Sequence, residues 1–360
     1  MKSTDILVIG GGPAGLSAAL TAGKIGARVI LLERDHFLGG QLIKQTHRFF
    51  GSKTEDAGTR GFKIADELTP KIRVLPNIEV MLSATALGFY EDGIVTVSHN
   101  GKMEKIKALR TIIATGAHEK ALPFINNDLP GVYGAGAVQT LMNVYGVKPA
   151  DRILMVGAGN IGLIVSYQLI QAGVEVVAIV EAAPEIGGYL VHASKVRRLG
   201  VPILTGHSII RADGEEGVES AIICRLDNNW RKIPGTEQML EVDAICLAVG
   251  LTPLTELLWQ ASCEMVYIPQ LGGHVPLRDE KLETSVRGLY VAGDCSGVEE
   301  ATAAILEGKL AGLNALKSLR YKITDEVFST VKGNLEKLRS GPVGEKIRTG
   351  LVRAREGSKC

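Results

Sequence analysis

Two glycine-rich loops limit the folds open to this chain. The first, ILVIGGGPAGL at residues 6–16, follows an apolar run, and RILMVGAGNIGLI at residues 152–164 repeats its pattern. Each loop leads into a segment of helical character and then into an apolar segment that ends in a glutamate, Glu33 or Glu181. This order is the βαβ unit, whose right-handed crossover makes its two strands parallel. The chain therefore contains two such units.

The glycine spacing predicts that both loops bind dinucleotides. The first glycine of G-x-G-x-x-G permits a tight turn, the second lets the backbone approach a pyrophosphate, and the third allows close helix–strand packing. The pyrophosphate then lies at a helix N-terminus, and the acid after the second strand accepts ribose hydroxyls. The residues predicted on this ground are Gly10, Gly12, Pro13, Ala14, Gly15 and Glu33 in the first loop, and Gly157, Gly159, Asn160, Ile161, Gly162 and Glu181 in the second.

The acid of the second unit indicates which nucleotide binds there. Glu181 favours a free 2′-hydroxyl, and hence NAD(H) over NADP(H), whose 2′-phosphate attracts an arginine. Two alternatives stay open at this point. The second unit holds another adenine nucleotide for structural purposes, or it binds none and only packs.

Composition narrows the class of protein. A chain of 360 residues with 46% hydrophobic content corresponds to about two domains, and its net charge of +1 creates no field that would recruit nucleic acid or a membrane. The five cysteines form no CxxC pair and no metal-ligand spacing, which is typical of reduced thiols. No apolar stretch reaches transmembrane length, and glycines interrupt the first one. We expect a cytoplasmic protein without metal, nucleic-acid partner or membrane insertion.

A third motif lies near the C-terminus. The strand LYVAGDC at 289–295 ends in Gly293-Asp294 and precedes an Ala-rich helix from about residue 299 to residue 319. It resembles the second FAD signature of flavoproteins with two dinucleotide-binding domains. The resemblance implies that Asp294 bonds the ribityl chain of FAD, and that Ala301 and Thr302 at the helix start lie under the flavin pyrimidine.

The complete motif set, GGGPAG, ATG, GAGNIG, AVG and AGD, resembles flavoproteins of the pyridine nucleotide-disulfide oxidoreductase type over residues 1 to about 320. The implied fold is α/β, with two Rossmann-like three-layer (ββα) dinucleotide-binding domains and the NAD domain inserted in the FAD domain. The implied boundaries are 1–117 and 251–325 for FAD and 118–250 for NAD(P). The polar composition of the remaining residues predicts a surface tail over 326–360. Further implied contacts are Arg34, Gly40, Gln41, Val80, Ala114, Thr115, Gly116 and Gly293 for FAD, and Gly250 for NAD.

Two longer stretches, at 114–143 and 227–253, are similar to the flavoprotein subunits of multi-subunit amine dehydrogenases. These include the opine, proline and cyanide-forming glycine enzymes and, more distantly, the sarcosine oxidase α subunit. The second stretch also resembles a flavoprotein of the anaerobic glycerol-3-phosphate dehydrogenase system. Some of these relatives carry a cysteine-rich iron–sulfur segment after the FAD domain. Cys360 stands alone here, so the resemblance implies that an iron–sulfur centre would come from a partner.

The candidate catalytic side chains are few, as expected where a flavin carries the chemistry. Gln41 is a candidate for hydrogen bonding to the flavin ring edge. Lys44, His47 and Arg48 are candidates for proton donor or substrate anchor. The alternative for His47 is a histidine of a surface loop. Cys295 is a redox thiol or, alternatively, a packing residue. His118 is a functional group or a contact between domains.

Three functions fit the sequence. The first is an FAD-dependent NAD(P)H oxidoreductase that is one subunit of a dehydrogenase complex and passes electrons between nicotinamide and a partner, either a second flavoprotein or an iron–sulfur protein. The second is a self-contained flavin dehydrogenase of an amine, imino acid or hydroxy acid. The third is a non-catalytic subunit that holds nucleotides. A homo-oligomer is compatible with all three.

Overall fold

The computed structural model describes residues 1–49, 56–341 and 344–356. The chain divides into two compact units: unit 1 is Met1–His118 with Thr252–Cys360, and unit 2 is Glu119–Leu251. The strands are β1 (Lys2–Ile9), β2 (Val29–Leu32), β3 (Ile78–Met81), β4 (Ala84–Phe89), β5 (Ile94–His99), β6 (Lys102–Ile113), β7 (Ala117–Glu119), β8 (Val132–Gly134), β9 (Arg152–Val156), β10 (Glu175–Glu181), β11 (Ile203–Thr205), β12 (His207–Asp213), β13 (Ser220–Arg225), β14 (Gln238–Glu241), β15 (Ala244–Leu247), β16 (Leu251–Pro253), β17 (Met265–Ile268), β18 (Gly273–Pro276) and β19 (Leu289–Val291). The helices are α1 (Pro13–Lys24), α2 (Gly61–Arg73), α3 (Ala135–Asn143), α4 (Asn160–Gln171), α5 (Leu190–Arg198), α6 (Glu256–Gln260), α7 (Ala301–Ser318), α8 (Asp325–Leu338) and α9 (Glu345–Glu356).

Unit 1 is built on a sheet that is parallel in the order β3-β2-β1-β6. Strands β5 and β4 extend it in antiparallel pairing, and β19 pairs in parallel with the end of β6. Alternate residues of β1 pack into different cores, because successive side chains of a strand point to opposite faces of the sheet. Ile6 and Val8 pack with the residues of α1 and α7, whereas Leu7 and Ile9 pack with Val95 of β5.

Two tight turns connect the antiparallel strands of unit 1. Asp92-Gly93 connects β4 to β5, and Asn100-Gly101 connects β5 to β6. The φ angles of Asn100 and Gly101 are +51° and +71°. Two successive positive φ angles are what a tight type I′ hairpin requires, and Asn-Gly adopts them at little cost.

Unit 2 has a parallel sheet in the order β11-β10-β9-β15-β8 and an antiparallel sheet in the order β12-β13-β14. On β9, Ile153 and Met155 pack with residues of α3 and α4. The intervening Leu154 packs with Ile209 and Ile223 of the antiparallel sheet. Unit 2 is therefore layered as antiparallel sheet, parallel sheet and helices.

The C-terminal region differs from the prediction. The polar composition predicts a surface tail over 326–360, but the structure places α8 and α9 there. Phe328, Val331 and Leu335 of α8 are buried in the core that also contains α1 and α7. Their spacing of three and four residues forms one apolar helix face, which the polar composition of the region conceals. The prediction of a tail is wrong for the described part of this region, and Cys360 lies outside the described residues.

The described helices are also informative about membranes. None of them is both long enough and apolar enough to cross a bilayer.

Candidate nucleotide-binding sites

The first glycine loop has the backbone that the sequence predicts. Gly10 has φ +111°, and a Cβ there would overlap the carbonyl oxygen of Ala114. A Cβ at Gly15 would overlap the carbonyl oxygen of Gly10. Gly12 is different, because its φ of −77° and ψ of −172° suit any residue and its Cβ would meet only the Gly40 Cα, at 3.9 Å. The fold does not require glycine at this position, whereas an approaching pyrophosphate does.

Glu33 is fixed at the end of β2. Its Oε2 accepts a hydrogen bond from the Gly11 amide at 2.7 Å, and its Oε1 accepts one from the Asp35 amide at 2.9 Å. Burial raises the pKa of Glu33, and these two amides oppose that rise. Each carboxylate oxygen has a second acceptor direction, so the group can still receive ribose hydroxyls.

Two further segments of unit 1 lie against the first loop. Gly40 is so close that a Cβ on it would be 2.7 Å from the Gly12 Cα, and the Gly39 amide donates to the Gly11 carbonyl at 2.9 Å. Gly293, with φ +77°, is so close to α1 that its Cβ would be 2.9 Å from the Ala14 Cβ. The structure thus brings the GGGPAG, GGQ and AGD motifs together around the N-terminus of α1.

The start of α7 packs against the segment that follows Gly40. Leu42, Phe49 and Ile305 belong to one buried cluster, and Ala301 packs against it. Thr302 is buried at the same helix start. The ATG motif at 114–116 follows β6, and its Thr115 hydroxyl donates to the Leu254 carbonyl at 2.7 Å.

The second glycine loop repeats this geometry in unit 2. Gly157 has φ +109°, and a Cβ there would overlap the carbonyl oxygen of Ala248. A Cβ at Gly162 would overlap the carbonyl oxygen of Gly157. Gly159 has φ −73° and ψ 178°, and a Cβ there would meet no atom within 4 Å. As in the first loop, the fold itself does not require the middle glycine.

Glu181 repeats the hydrogen bonds of Glu33. Its Oε2 accepts from the Ala158 amide at 2.7 Å, and its Oε1 accepts from the Ala183 amide at 3.0 Å. Both units therefore hold a carboxylate against the amide that follows the first glycine of the loop.

A second glycine pair in unit 2, Gly187-Gly188, was not predicted from the sequence. The Gly188 amide donates to the Ala158 carbonyl at 3.0 Å, as the Gly39 amide does to the Gly11 carbonyl in unit 1. The sequence signal was present, since EIGGYL at 185–190 repeats FLGGQL at 37–42. The predicted residue Asn160 holds this segment, because its Oδ1 accepts from the Tyr189 amide at 2.8 Å.

Two other predicted residues of unit 2 are partly or fully exposed. Ile161 lies in the first turn of α4 and is 38% exposed. Gly250, with φ +113°, is exposed, and its carbonyl accepts from the Lys120 amide at 3.0 Å.

A family model described as pyridine nucleotide-disulphide oxidoreductase matches residues 4–308. The chain belongs to this family. The match confirms the predicted α/β fold with two dinucleotide-binding domains. The T. acidophilum thioredoxin reductase structure shares that fold. It is 20% identical, with a TM-score of 0.74, and the match covers 89% of this chain and 100% of that one. The family binds FAD, and the glycine loop, Glu33 and the AGD turn of unit 1 fit that cofactor.

The relatives in the family include subunits of larger enzymes. The sarcosine oxidase α subunit of Rhizobium meliloti is 30% identical over 318 residues, which are 84% of this chain and 29% of that relative. An opine oxidase subunit of Agrobacterium tumefaciens is 28% identical, over 91% of this chain and 68% of that relative. The P. horikoshii L-proline dehydrogenase structure is 27% identical, with a TM-score of 0.71, and the match covers 93% of this chain and 59% of that one. This chain therefore spans less than a third of the sarcosine oxidase relative.

The remaining FAD candidates of this flavoprotein have varied surroundings. Arg34 is exposed and lies 3.9 Å from the Asp35 carboxylate, while Val80 is half-buried on β3. Gln41 is exposed directly after Gly40. These residues stay predictions.

The candidate proton donors lie in the segment after the GGQ motif. His47 is half-buried and stacks on Phe49, with 5.8 Å between ring centroids. Lys44, three residues earlier, is also half-buried. Arg48 is exposed and donates to the Gly58 carbonyl at 3.2 Å. His118 is exposed in β7. A catalytic role for any of these side chains stays a prediction.

Cys295 is fully buried in unit 1. Its thiol lies 3.3 Å from the Ile113 carbonyl and 3.4 Å from the Ala292 carbonyl, to both of which it can donate. Burial raises the pKa of Cys295 to about 11. A buried thiol that stays protonated is a poor nucleophile, which favours the packing alternative over the redox one. Among the residues that the structure describes, no cluster of His, Cys, Asp or Glu could hold a metal ion.

The carboxyl group of Asp294, in the AGD turn, has an unusual pKa. Burial, together with the nearby carboxylates of Glu307 and Glu299, raises its pKa to about 7 from an ordinary value of 3.8. The folded-state pKa lies above the unfolded value, so the contribution of Asp294 to stability is present below about pH 4 and is lost as the pH rises through about 7.

We expect the substitution Asp294→Asn to stabilise flavin-free protein at high pH. Asparagine stays neutral, so the variant should melt about 2–4 °C above the natural protein at pH 8, with the difference shrinking toward pH 5. Thermal scans across that pH range measure the difference, with the exposed Asp128→Asn as control. A difference that does not change with pH would contradict the assigned titration.

Proposed function

We propose that unit 1 holds FAD, that unit 2 holds NAD(H), and that the protein is a cytoplasmic FAD-dependent NAD(P)H oxidoreductase working as one subunit of a dehydrogenase complex. One observation carries the proposal. Each unit fixes a carboxylate, Glu33 or Glu181, 2.7 Å from an amide of its own glycine loop. A unit that only packed would not need this repeated arrangement with open space above Gly12 and Gly159.

The chain's residues hold and orient the nucleotides in this proposal. Gly12 and Gly159 leave room for a pyrophosphate at the N-termini of α1 and α4, and the two glutamates receive ribose hydroxyls. Asp294 is the group of unit 1 aimed at the ribityl chain, and the N-terminus of α7 favours negative charge on a bound flavin. FAD, when bound, supplies the hydride and electron chemistry.

The destination of the electrons is a partner protein in this proposal. The sequence has no CxxC pair, and the buried Cys295 offers no activated thiol to receive them. The relatives from R. meliloti and A. tumefaciens are named as subunits. Both points support a second flavoprotein or an iron–sulfur protein as the acceptor or donor.

The choice of NAD(H) over NADP(H) depends on Glu181 and its neighbours. The residues that follow it, Ala182, Ala183 and Pro184, supply no positive charge for a 2′-phosphate. A carboxylate at this position would repel that phosphate and accept two hydroxyls.

We expect Glu181→Ala to weaken NADH binding while FAD stays bound. The variant loses the acceptor of the ribose hydroxyls, so the KM for NADH should rise about tenfold or more with a smaller change in kcat. The matched control is Glu175→Gln, at the opposite end of β10, where the carboxylate pairs with Arg152 on the surface. Equal KM values for the two variants would argue for a different nucleotide, or none, in unit 2.

The names of the relatives favour a second candidate function. Sarcosine, opines and proline are amines, so a flavin dehydrogenase of an amine or imino acid is the alternative. Turnover of FAD-loaded protein with ferricyanide as acceptor separates the two functions. The donor is NADH in one set of assays, and sarcosine, proline or an opine in the other. Turnover with NADH alone supports the proposed function, and turnover with an amine alone supports the second candidate. No turnover with either donor would support a subunit that only holds nucleotides.

A further inference from the structure

A buried cluster of charged side chains lies beneath the AGD turn of unit 1. At its centre is Glu307 of α7, which is 2% exposed. Its Oε1 accepts from Arg278 at 2.9 Å and from Arg339 at 2.7 Å. Its Oε2 accepts from the Gly293 amide and from the Ser296 hydroxyl, both at 3.0 Å. One carboxylate therefore joins two arginines to both ends of the turn that contains Asp294.

Arg339 reaches the same turn by a second route. Its guanidinium donates to both carboxylate oxygens of Glu299, with Nη2 at 2.6 Å from Oε2. The backbone amide of Glu299 donates to the Asp294 carboxylate at 3.3 Å. Arg339 directly follows the last residue of α8, so the C-terminal helices are linked to the turn through Glu307 and through Glu299.

The charges of this cluster balance. Two carboxylates, of Glu299 and Glu307, face two guanidinium groups, of Arg278 and Arg339. Burial alone would raise the pKa of Glu307, but the two arginines outweigh it and lower the pKa to about 2. Buried ion pairs are often no more stabilising than apolar side chains of the same size, so stability alone does not account for the cluster.

We propose that Arg339 is a positioning residue for the flavin. It holds Gly293–Ser296 through Glu307 and Glu299, so that Asp294 and the Gly293 backbone keep the arrangement in which FAD is bound. This inference rests on the proposed FAD site of unit 1. It extends that site to Arg339 at the C-terminal end of α8, a residue that the sequence did not predict to take part in it.

Arg339→Met keeps most of the side-chain length and removes the charge and the hydrogen bonds. The expected results are a Kd for FAD raised about tenfold and a more negative midpoint potential, because uncompensated negative charge near the flavin disfavours its reduced form. Arg339→Lys restores the charge without the two-oxygen geometry, so its FAD affinity should stay weakened while its potential lies closer to that of the natural protein.

The double variant R339M/E307Q separates charge from geometry. One guanidinium group, of Arg278, and one carboxylate, of Glu299, then remain, so the charge of the cluster is balanced again. The midpoint potential should return toward the natural value, while FAD binding stays weak. The control is Lys332→Met on α8, whose side chain pairs with Glu280 on the surface and should change neither quantity. FAD titration of the flavin-free protein measures the Kd, and redox titration of the FAD-loaded protein measures the midpoint potential.

Two results would overturn the inference in different ways. If the natural protein binds no FAD, the proposed site fails and this inference fails with it. If the natural protein binds FAD and both Arg339 variants keep its Kd and potential, even with a lowered melting temperature, then Arg339 stabilises the fold without positioning the flavin. Arg339→Lys serves as the decisive variant where Arg339→Met does not fold.

Discussion

Gly12→Val is expected to abolish retention of FAD without unfolding the protein. The backbone angles at Gly12 suit valine, and the nearest atom to its Cβ would be the Gly40 Cα, at 3.9 Å. The added methyl groups would instead occupy the space through which the pyrophosphate approaches the N-terminus of α1. A steric cost of about 3 kcal/mol corresponds to a Kd about a hundredfold higher, enough to lose the flavin during purification.

Flavin content per chain and far-ultraviolet circular dichroism measure this result together. A useful contrast is Gly15→Ala, whose Cβ would overlap the Gly10 carbonyl oxygen and should therefore damage the fold itself. If Gly12→Val purified with a full complement of flavin, the open space at Gly12 would have no cofactor in it, and the proposed FAD site would be wrong.

Gly159→Val should produce the corresponding loss in unit 2. Its Cβ would meet no atom of the protein within 4 Å, so the methyl groups fill space that a nucleotide would otherwise use. We expect flavin content to be unchanged and the rate of flavin reduction by NADH to fall about a hundredfold, by the same steric argument. Rapid-mixing absorbance measurements give that rate.

The two valine variants control for each other, because each places the same side chain at the same position of an equivalent loop. Dithionite should still reduce the flavin of Gly159→Val at the natural rate. An unchanged NADH rate in this variant would mean that NADH reduces the flavin without using unit 2.

The loops were predictable from the sequence because their chemistry is local. A turn with positive φ at Gly10 and the contact between Gly15 and Gly10 are set by residues within one short segment. The acids at the ends of β2 and β10 follow at regular spacing. The resemblance to flavoproteins then identified AGD, whose position beside Ala14 depends on pairing between β19 and β6.

Three features were not predicted, and the first two of them are not contained in one motif. The Gly187-Gly188 pair is visible only when the segments after both glutamates are compared. The cluster around Glu307 joins residues 29 and 32 positions away, and such long-range ion pairs leave no periodic signal in the sequence. The helix α8 was missed because its polar residues outnumber the three apolar ones that it buries.

Cys295 illustrates why proximity in sequence is a weak guide to role. It follows Asp294 directly, yet its thiol lies against the carbonyls of Ile113 and Ala292, in the core. Successive residues of a tight turn point in different directions, so only the fold decides which of them faces a ligand.

In the proposed function, electrons pass between NADH and a flavin held by this chain. Anaerobic titration of the FAD-loaded protein with NADH, followed by flavin absorbance, measures this transfer. We expect the flavin band to bleach with about one equivalent of NADH per flavin and to return when ferricyanide is added. A flavin that dithionite bleaches but NADH leaves fully oxidised would contradict it.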